Sequence, residues 1–262
     1  MKTLQQCIEE ANAQRRVARI PFVTSGFPDM ERFFDVVSEL DRNGADIIEI
    51  GVPFSDPVAD GPVVEEASRR ALAQGVNLTW LLEKLQAFPP CRAGLVLMGY
   101  YNPFLQYGLE RLAKDAGEAG IQGFIVPDLP LEEADPLRAA LAVRGLDYIA
   151  LTGPNTTDER MAAYAASASG YVYVTSVMGT TGERRELPEA AETVRRAKAI
   201  FNLPVALGFG ISSPDQIAAM PVRPDAAVFG SALLRHLDGG GTVKDFMRPW
   251  LESYPPPELM NS

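Results

Sequence analysis

Short runs of β-branched and aromatic residues recur eight times along the chain, and a stretch with helical spacing follows most of them. The runs are RIPFVTSG (19–26), DIIEIGV (46–52), GLVLMGYY (94–101), GFIVPD (123–128), DYIALTG (147–153), YVYVTS (171–176), PVALGFG (204–210) and AAVFGSA (226–232). They are continuous rather than alternating, as expected of parallel strands buried on both faces. Between them, 29–43 places Phe33, Phe34, Val37 and Leu40 on one stripe and stops at Gly44. The stretches 78–88, 110–118, 131–144, 157–168 and 188–201 follow the same logic, and VVEEASRRALAQ (63–74) is also helical. Gly44, Gly120, Gly145 and Gly170 sit where a helix would end in a left-handed cap. Eight strands alternating with helices over about 250 residues predict an α/β fold, a single-domain (β/α)8 TIM barrel spanning 1–262. An open doubly wound sheet is the alternative and usually has fewer strands. The opening MKTLQQCIEEANAQRR predicts an extra N-terminal helix, and the tail about 255–262 is expected to fray.

Composition narrows the function. A net charge of -10 argues against nucleic acid or an anionic membrane as partner. No apolar run reaches the length of a membrane span, and the acid-containing start lacks the apolar core of a signal peptide, so a cytoplasmic location is expected. Cys7 and Cys91 are far apart and form neither a disulfide framework nor a zinc motif. The one histidine, His236, lies in the helical ALLRHL, which argues against Ser-His-Asp and Cys-His nucleophiles.

The chemistry-bearing candidates fall at strand ends, where barrel enzymes gather their catalytic groups. Glu49 interrupts the apolar DIIEIGV. An ion pair with an inward cation would explain it as structure, yet Arg19, at the start of its strand, is at the wrong end. Unpaired burial raises a carboxyl pKa toward neutrality, where acid–base catalysis works best. Asp56 and Asp60 follow in a proline-broken loop, where a turn residue and a helix N-cap are the plainer roles. The glycines of LGFGISS (207–213) and FGSALL (229–234), with Ser231, suit an anion at the loops after strands seven and eight, although a tight turn would also require glycine. GTTGERRE (179–186) reads as a lid or an exposed polar loop, and Tyr100, Tyr101, Tyr171 and Tyr173 as barrel packing or pocket lining.

EIGVPFSDPVADGP with PFVTSGFP upstream, MGYYNPF (98–104), GFIVPDLPLEE (123–133), GTTG (179–182), GFGISSPDQ (208–216) and GSALL (230–234) together resemble the tryptophan synthase alpha subunit family, in order and over nearly the whole chain. The resemblance implies a lyase. It would cleave indole-3-glycerol phosphate to indole and glyceraldehyde 3-phosphate by a retro-aldol step, with no metal and no cofactor of its own. By that matching Glu49 is the general acid–base and Asp60 the carboxylate on the indole N–H. Phe22, Tyr100, Leu151, Tyr173 and Phe209 would line the indole pocket, and Gly182, Gly210, Gly230 and Ser231 would hold the phosphate. Thr181 would be the lid residue that meets Asp60. Asp56, Pro57, Asn102 and Pro103 would face a pyridoxal-phosphate-dependent beta subunit in an alpha2-beta2 heterotetramer, which receives the indole. A free-standing lyase of the same family and a non-catalytic barrel that activates a partner are the alternatives. The sequence departs from the usual pattern at Val177 and Thr180, and at Thr152-Gly153, where alanine commonly precedes the proline.

Overall fold

A computed structural model describes residues 2–175, 187–208 and 210–253. Nine strands run parallel in one sheet: β1 (Ala18–Thr24), β2 (Ile47–Gly51), β3 (Gly94–Met98), β4 (Ile121–Ile125), β5 (Asp147–Tyr148), β6 (Ala150–Thr152), β7 (Val172–Thr175), β8 (Val205–Gly208) and β9 (Ala226–Phe229). Their order is β5-β4-β3-β2-β1-β9-β8-β7-β6. The predicted strand at 147–153 is therefore two pieces, parted at Ile149. β5 pairs with β4 and β6 with β7, while the Ile149 N–H donates to the Phe124 carbonyl at 3.0 Å. The broken strand thus links the two ends of the sheet, and the fold is the expected TIM barrel.

Most of the helices follow the predicted spacing: α1 (Leu4–Ala13), α2 (Arg32–Arg42), α3 (Pro62–Ala73), α4 (Leu78–Gln86), α5 (Tyr101–Tyr107), α6 (Leu109–Glu118), α7 (Asp135–Ala142), α8 (Asp158–Ala165), α9 (Leu187–Ile200), α10 (Pro214–Ala218), α11 (Ser231–Asp238) and α12 (Val243–Glu252). Gly44, Gly120, Gly145 and Gly170 all take positive φ, between 66° and 85°, as their cap positions require. Three of the boundary shifts have a local cause. The run 94–101 stops as strand at Met98, because Tyr101 already opens α5. The run 226–232 stops at Phe229, because Ser231 opens α11. The predicted helix 131–144 is a 3₁₀ turn, Leu131–Glu133, followed by α7, with Pro136 in the first turn of α7. Proline has no N–H to carry a helix through that point. Nor did the periodicity predict α5, α10 or α12. Among the described residues no helix is long and apolar enough to cross a membrane.

The core has two layers. The outer one lies between the sheet and the surrounding helices. The inner one fills the barrel with Ile20, Ile47, Val96, Ile125, Tyr171 and Val228, among others. The N-terminal helix belongs to this inner layer. Leu4, Cys7, Ile8 and Ala11, at i, i+3, i+4 and i+7, are all buried in it. Gly94 and Gly123 make the fit possible, since a Cβ at either would lie 2.7 or 2.8 Å from a Leu4 methyl carbon. Helix α1 therefore stoppers the barrel at the end where the strands begin. Burying Leu4 and Ile8 contributes roughly 1.5–3 kcal/mol each. Arg19 lies at that same end, donating to the carbonyls of Trp250 at 3.1 Å and Gly44 at 3.4 Å.

Candidate active site

The alternation along β2 turns Glu49 into the barrel, with Phe22 of β1 and Val96 of β3 as its register neighbours. Glu49 is fully buried. Its Oε1 accepts the Tyr171 hydroxyl at 2.8 Å. Its Oε2 has no partner among the described residues. Burial pushes the carboxyl up to about 8, against the pull of the Tyr171 hydrogen bond, and no cation contributes. An inward ion pair is thus not what holds Glu49. Tyr173, one turn of alternation beyond Tyr171, is also buried, and burial together with the nearby Glu49 raises its phenol well above the ordinary value.

Asp60 sits in the loop between β2 and α3. It is not the N-cap, which is Gly61, with Pro62 as the first helical residue. Burial raises its carboxyl to about 6, opposed by a hydrogen bond from Tyr100 and reinforced by Glu65. The Tyr100 hydroxyl also accepts the Ala59 N–H at 3.1 Å, and its ring stacks on Phe54 at 5.2 Å. Tyr100 therefore pins the Asp60 loop as well as lining the pocket. A cavity beside Asp60 is lined by Phe22, Gly51, Met98, Gly99, Tyr100 and Pro127, among others. Asp60 lines this cavity directly, whereas Glu49, within its strand, adjoins it through its register neighbour Phe22.

Glycines set the shape of this end. A Cβ on Gly51 would fall 2.5 Å from the Phe22 ring, and one on Gly230 would fall 2.9 Å from it. Phe22 is wedged between them, so Gly230 has a packing role besides the predicted phosphate role. A Cβ on Gly208 would overlap the Tyr173 hydroxyl. At the Thr152-Gly153 departure, a Cβ on Gly153 would stand 2.7 Å from the Thr175 hydroxyl, which donates to the Thr152 carbonyl at 3.3 Å. Glycine is what lets these two strand ends approach.

Leu151 packs against the inner layer from the upper rim. Gly210 has φ +79°, and no described residue comes within 4 Å of where a side chain would project. Gly230 caps α11 and Ser231 begins it. Asp56 and Asn102 are exposed, and Pro57 and Pro103 half-exposed. Phe209, Thr181, Gly182, Val177 and Thr180 lie outside the described residues, as does the tail about 255–262. His236 contacts the Thr242 carbonyl at 3.0 Å near the end of α11, in keeping with its reading as a helix-end residue.

Tyr171, expected as barrel packing or pocket lining, is instead the hydrogen-bond donor to Glu49, and Met98 and Pro127 join the cavity lining without having stood out in the sequence. The signal for Tyr171 was its two-residue spacing from Tyr173, which places both on the inner face. Tyr171→Phe is expected to leave Glu49 Oε1 without its donor and to move the Glu49 titration further upward. The pH–rate profile should shift its alkaline limb to higher pH with a less than about ten-fold change in kcat. An unmoved limb would mean that this bond does not tune Glu49.

A family model described as tryptophan synthase alpha chain matches residues 8–246. The tryptophan synthase alpha chain of Desulfovibrio desulfuricans is 60% identical over 254 residues, covering 95% of this chain and 100% of that protein. The alpha chain of Nitratidesulfovibrio vulgaris strain DP4 is 61% identical over 251 residues, covering 95% and 98%. A structure of Mycobacterium tuberculosis tryptophan synthase aligns with a TM-score of 0.85 at 37% identity, covering 94% of this chain and 93% of that one. The tryptophan synthase alpha subunit of Legionella pneumophila aligns with a TM-score of 0.83 at 34% identity, covering 95% and 94%.

Proposed function

The chain belongs to the tryptophan synthase alpha chain family, and from that membership we propose a retro-aldol lyase whose proton transfers run through Glu49. Its role is that of the alpha subunit in tryptophan biosynthesis, with indole-3-glycerol phosphate as the substrate. The observation that carries this reading is Glu49 itself, a fully buried carboxyl raised to about 8 with no cation beside it among the described residues.

Cleavage of the bond between indole C3 and the side chain needs a proton on C3 and the loss of one from the adjacent hydroxyl. The protonated Glu49 carboxyl delivers the first and, now a carboxylate, takes the second. The C–C electron pair returns to the ring as the hydroxyl carbon becomes an aldehyde, so indole and glyceraldehyde 3-phosphate leave and Glu49 ends protonated. A fixed anion at the ring N–H stabilises the positive charge that ring protonation creates, and Asp60 is the group for it. Phe22, Leu151, Tyr173 and Phe209 supply the apolar walls, with Tyr100 and Met98 beside Asp60. Gly182, Gly210, Gly230 and Ser231 receive the phosphate through backbone and hydroxyl donors, which lets an acidic chain hold an anion. Family membership assigns Thr181 the role of lid residue in this reading.

The partner in this reading is a beta subunit carrying pyridoxal phosphate, in a heterotetramer, meeting Asp56, Pro57, Asn102 and Pro103. Those residues adjoin Val58, 73% exposed, and Leu105, 49% exposed, apolar side chains that a partner would cover. The reading places the enzyme in the cytoplasm, and its chemistry draws on the chain's own side chains. The test is indole release from indole-3-glycerol phosphate with and without an added beta subunit. Release is expected alone, and faster with the partner. A fast rate that the partner leaves unchanged would favour a free-standing lyase, and no indole at all would sink the reading.

A further inference from the structure

One side chain holds the turn after β8. Gln216 is the third residue of α10, and its Oε1 accepts the Ser213 N–H at 3.0 Å, an ordinary helix-capping contact. It reaches further than a cap requires. The same oxygen accepts the Ser212 N–H at 2.7 Å and the Ser212 hydroxyl at 3.1 Å, while Nε2 donates to the Gly210 carbonyl at 3.3 Å. Gly210 itself stands at φ +79° with no atom of the described residues within 4 Å of a would-be Cβ. Crowding therefore does not explain the glycine. A backbone turn beside open space does.

These bonds sort the polar groups of the turn. The N–H groups of Ser212 and Ser213 are engaged by Gln216, so the donors that the turn offers to an anion are those of Gly210 and Ile211. The Gly210 carbonyl, which would repel an anion, is tied back to Nε2. Because a trans peptide points its N–H opposite to its carbonyl, that tie also fixes the direction of the Ile211 N–H. We propose that Gln216 is a positioning residue for the phosphate end of the substrate, holding the Gly210–Ser213 turn so that N–H groups rather than a carbonyl face the anion. The proposal rests on the reading of Gly210 as part of the phosphate site.

The test compares the full-length wild type with Gln216→Met and Gln216→Glu. Methionine keeps the length and neutrality of glutamine without its hydrogen bonds. Glutamate keeps the acceptor for both serine N–H groups but has no donor for the Gly210 carbonyl. The ligands are indole-3-propanol phosphate, which lacks the hydroxyl that cleavage needs, and indole-3-propanol. Wild type is expected to bind the phosphate ester far more tightly than the alcohol. Both variants should lose about ten-fold in affinity for the ester and none for the alcohol, with KM for indole-3-glycerol phosphate rising in step and kcat within about two-fold. Variants that bind the ester as wild type does would overturn the proposal. So would variants that weaken ester and alcohol alike, which would make Gln216 a general structural support. A wild type that binds both ligands equally would remove the phosphate site itself, and the proposal with it, before any variant is compared.

Discussion

Glu49→Gln is expected to lower kcat by at least about 10³ while a non-cleavable phosphate ligand binds as before. Glutamine preserves the shape of the side chain and can still accept from Tyr171, so pocket and packing persist. It cannot release and recover a proton, and positioned acid–base groups contribute typically 10²–10⁴ in rate. In the proposed mechanism one group serves both transfers. The same substitution carries a second, independent signature in stability. A carboxyl that titrates near 4.5 when unfolded and near 8 when folded keeps its proton in the native state while the unfolded chain releases it. Folding stability therefore falls as pH rises from about 4.5 to about 8 and levels off above, by roughly 3–5 kcal/mol. An amide at this position cannot titrate, so the variant should lack this slope and be more stable than its parent above pH 8. Urea unfolding midpoints from pH 5 to pH 9 check it. A difference between the two proteins that stays flat across this range would mean that Glu49 is not perturbed as described.

Asp60→Asn is expected to cost two or more orders of magnitude in kcat/KM. A preorganised group aimed at developing charge contributes about 2.7–4 kcal/mol by substitution. Asparagine keeps the size but presents no negative charge to the ring nitrogen. The two carboxyls also define a working window. Asp60 must be ionised, above about 6, and Glu49 must hold its proton, below about 8. Activity should therefore be bell-shaped, with limbs near those values, and Asp60→Asn should lose the acidic limb with most of the rate. If the variant kept near-normal turnover, Asp60 would be a loop residue and not part of the chemistry.

Local pattern carried much of this to the reader of the sequence. Parallel strands buried on both faces have no choice but to be apolar throughout, so eight runs and their intervening helices announced the barrel. Glu49 was legible for the same reason, as a charge where none should be. What escaped depends on partners far away along the chain. Tyr171 meets Glu49 across 122 positions, and nothing near either residue encodes that bond. Gly51 and Gly230 are glycines because Phe22 lies between them, and Gly208 is one because Tyr173 lies over it. The break at Ile149 was equally hidden. DYIALT is uniformly strand-like, and only the registers of β5 with β4 and of β6 with β7 divide it. Gln216 sat in the quoted GFGISSPDQ, but its three-way grip on the turn belongs to folded geometry.

The stopper formed by α1 has a meaning for proton traffic. With Leu4, Cys7, Ile8 and Ala11 filling the end where the strands begin, the barrel is a blind well rather than a pipe, and Glu49 lies within it. A hydrogen ion on that carboxyl is screened from the solvent beneath the barrel, so in the proposed mechanism its exchange is with the substrate above. On the proposed mechanism, cleavage would be a closed relay in which the hydrogen given to the ring and the one taken from the hydroxyl pass through the same carboxyl.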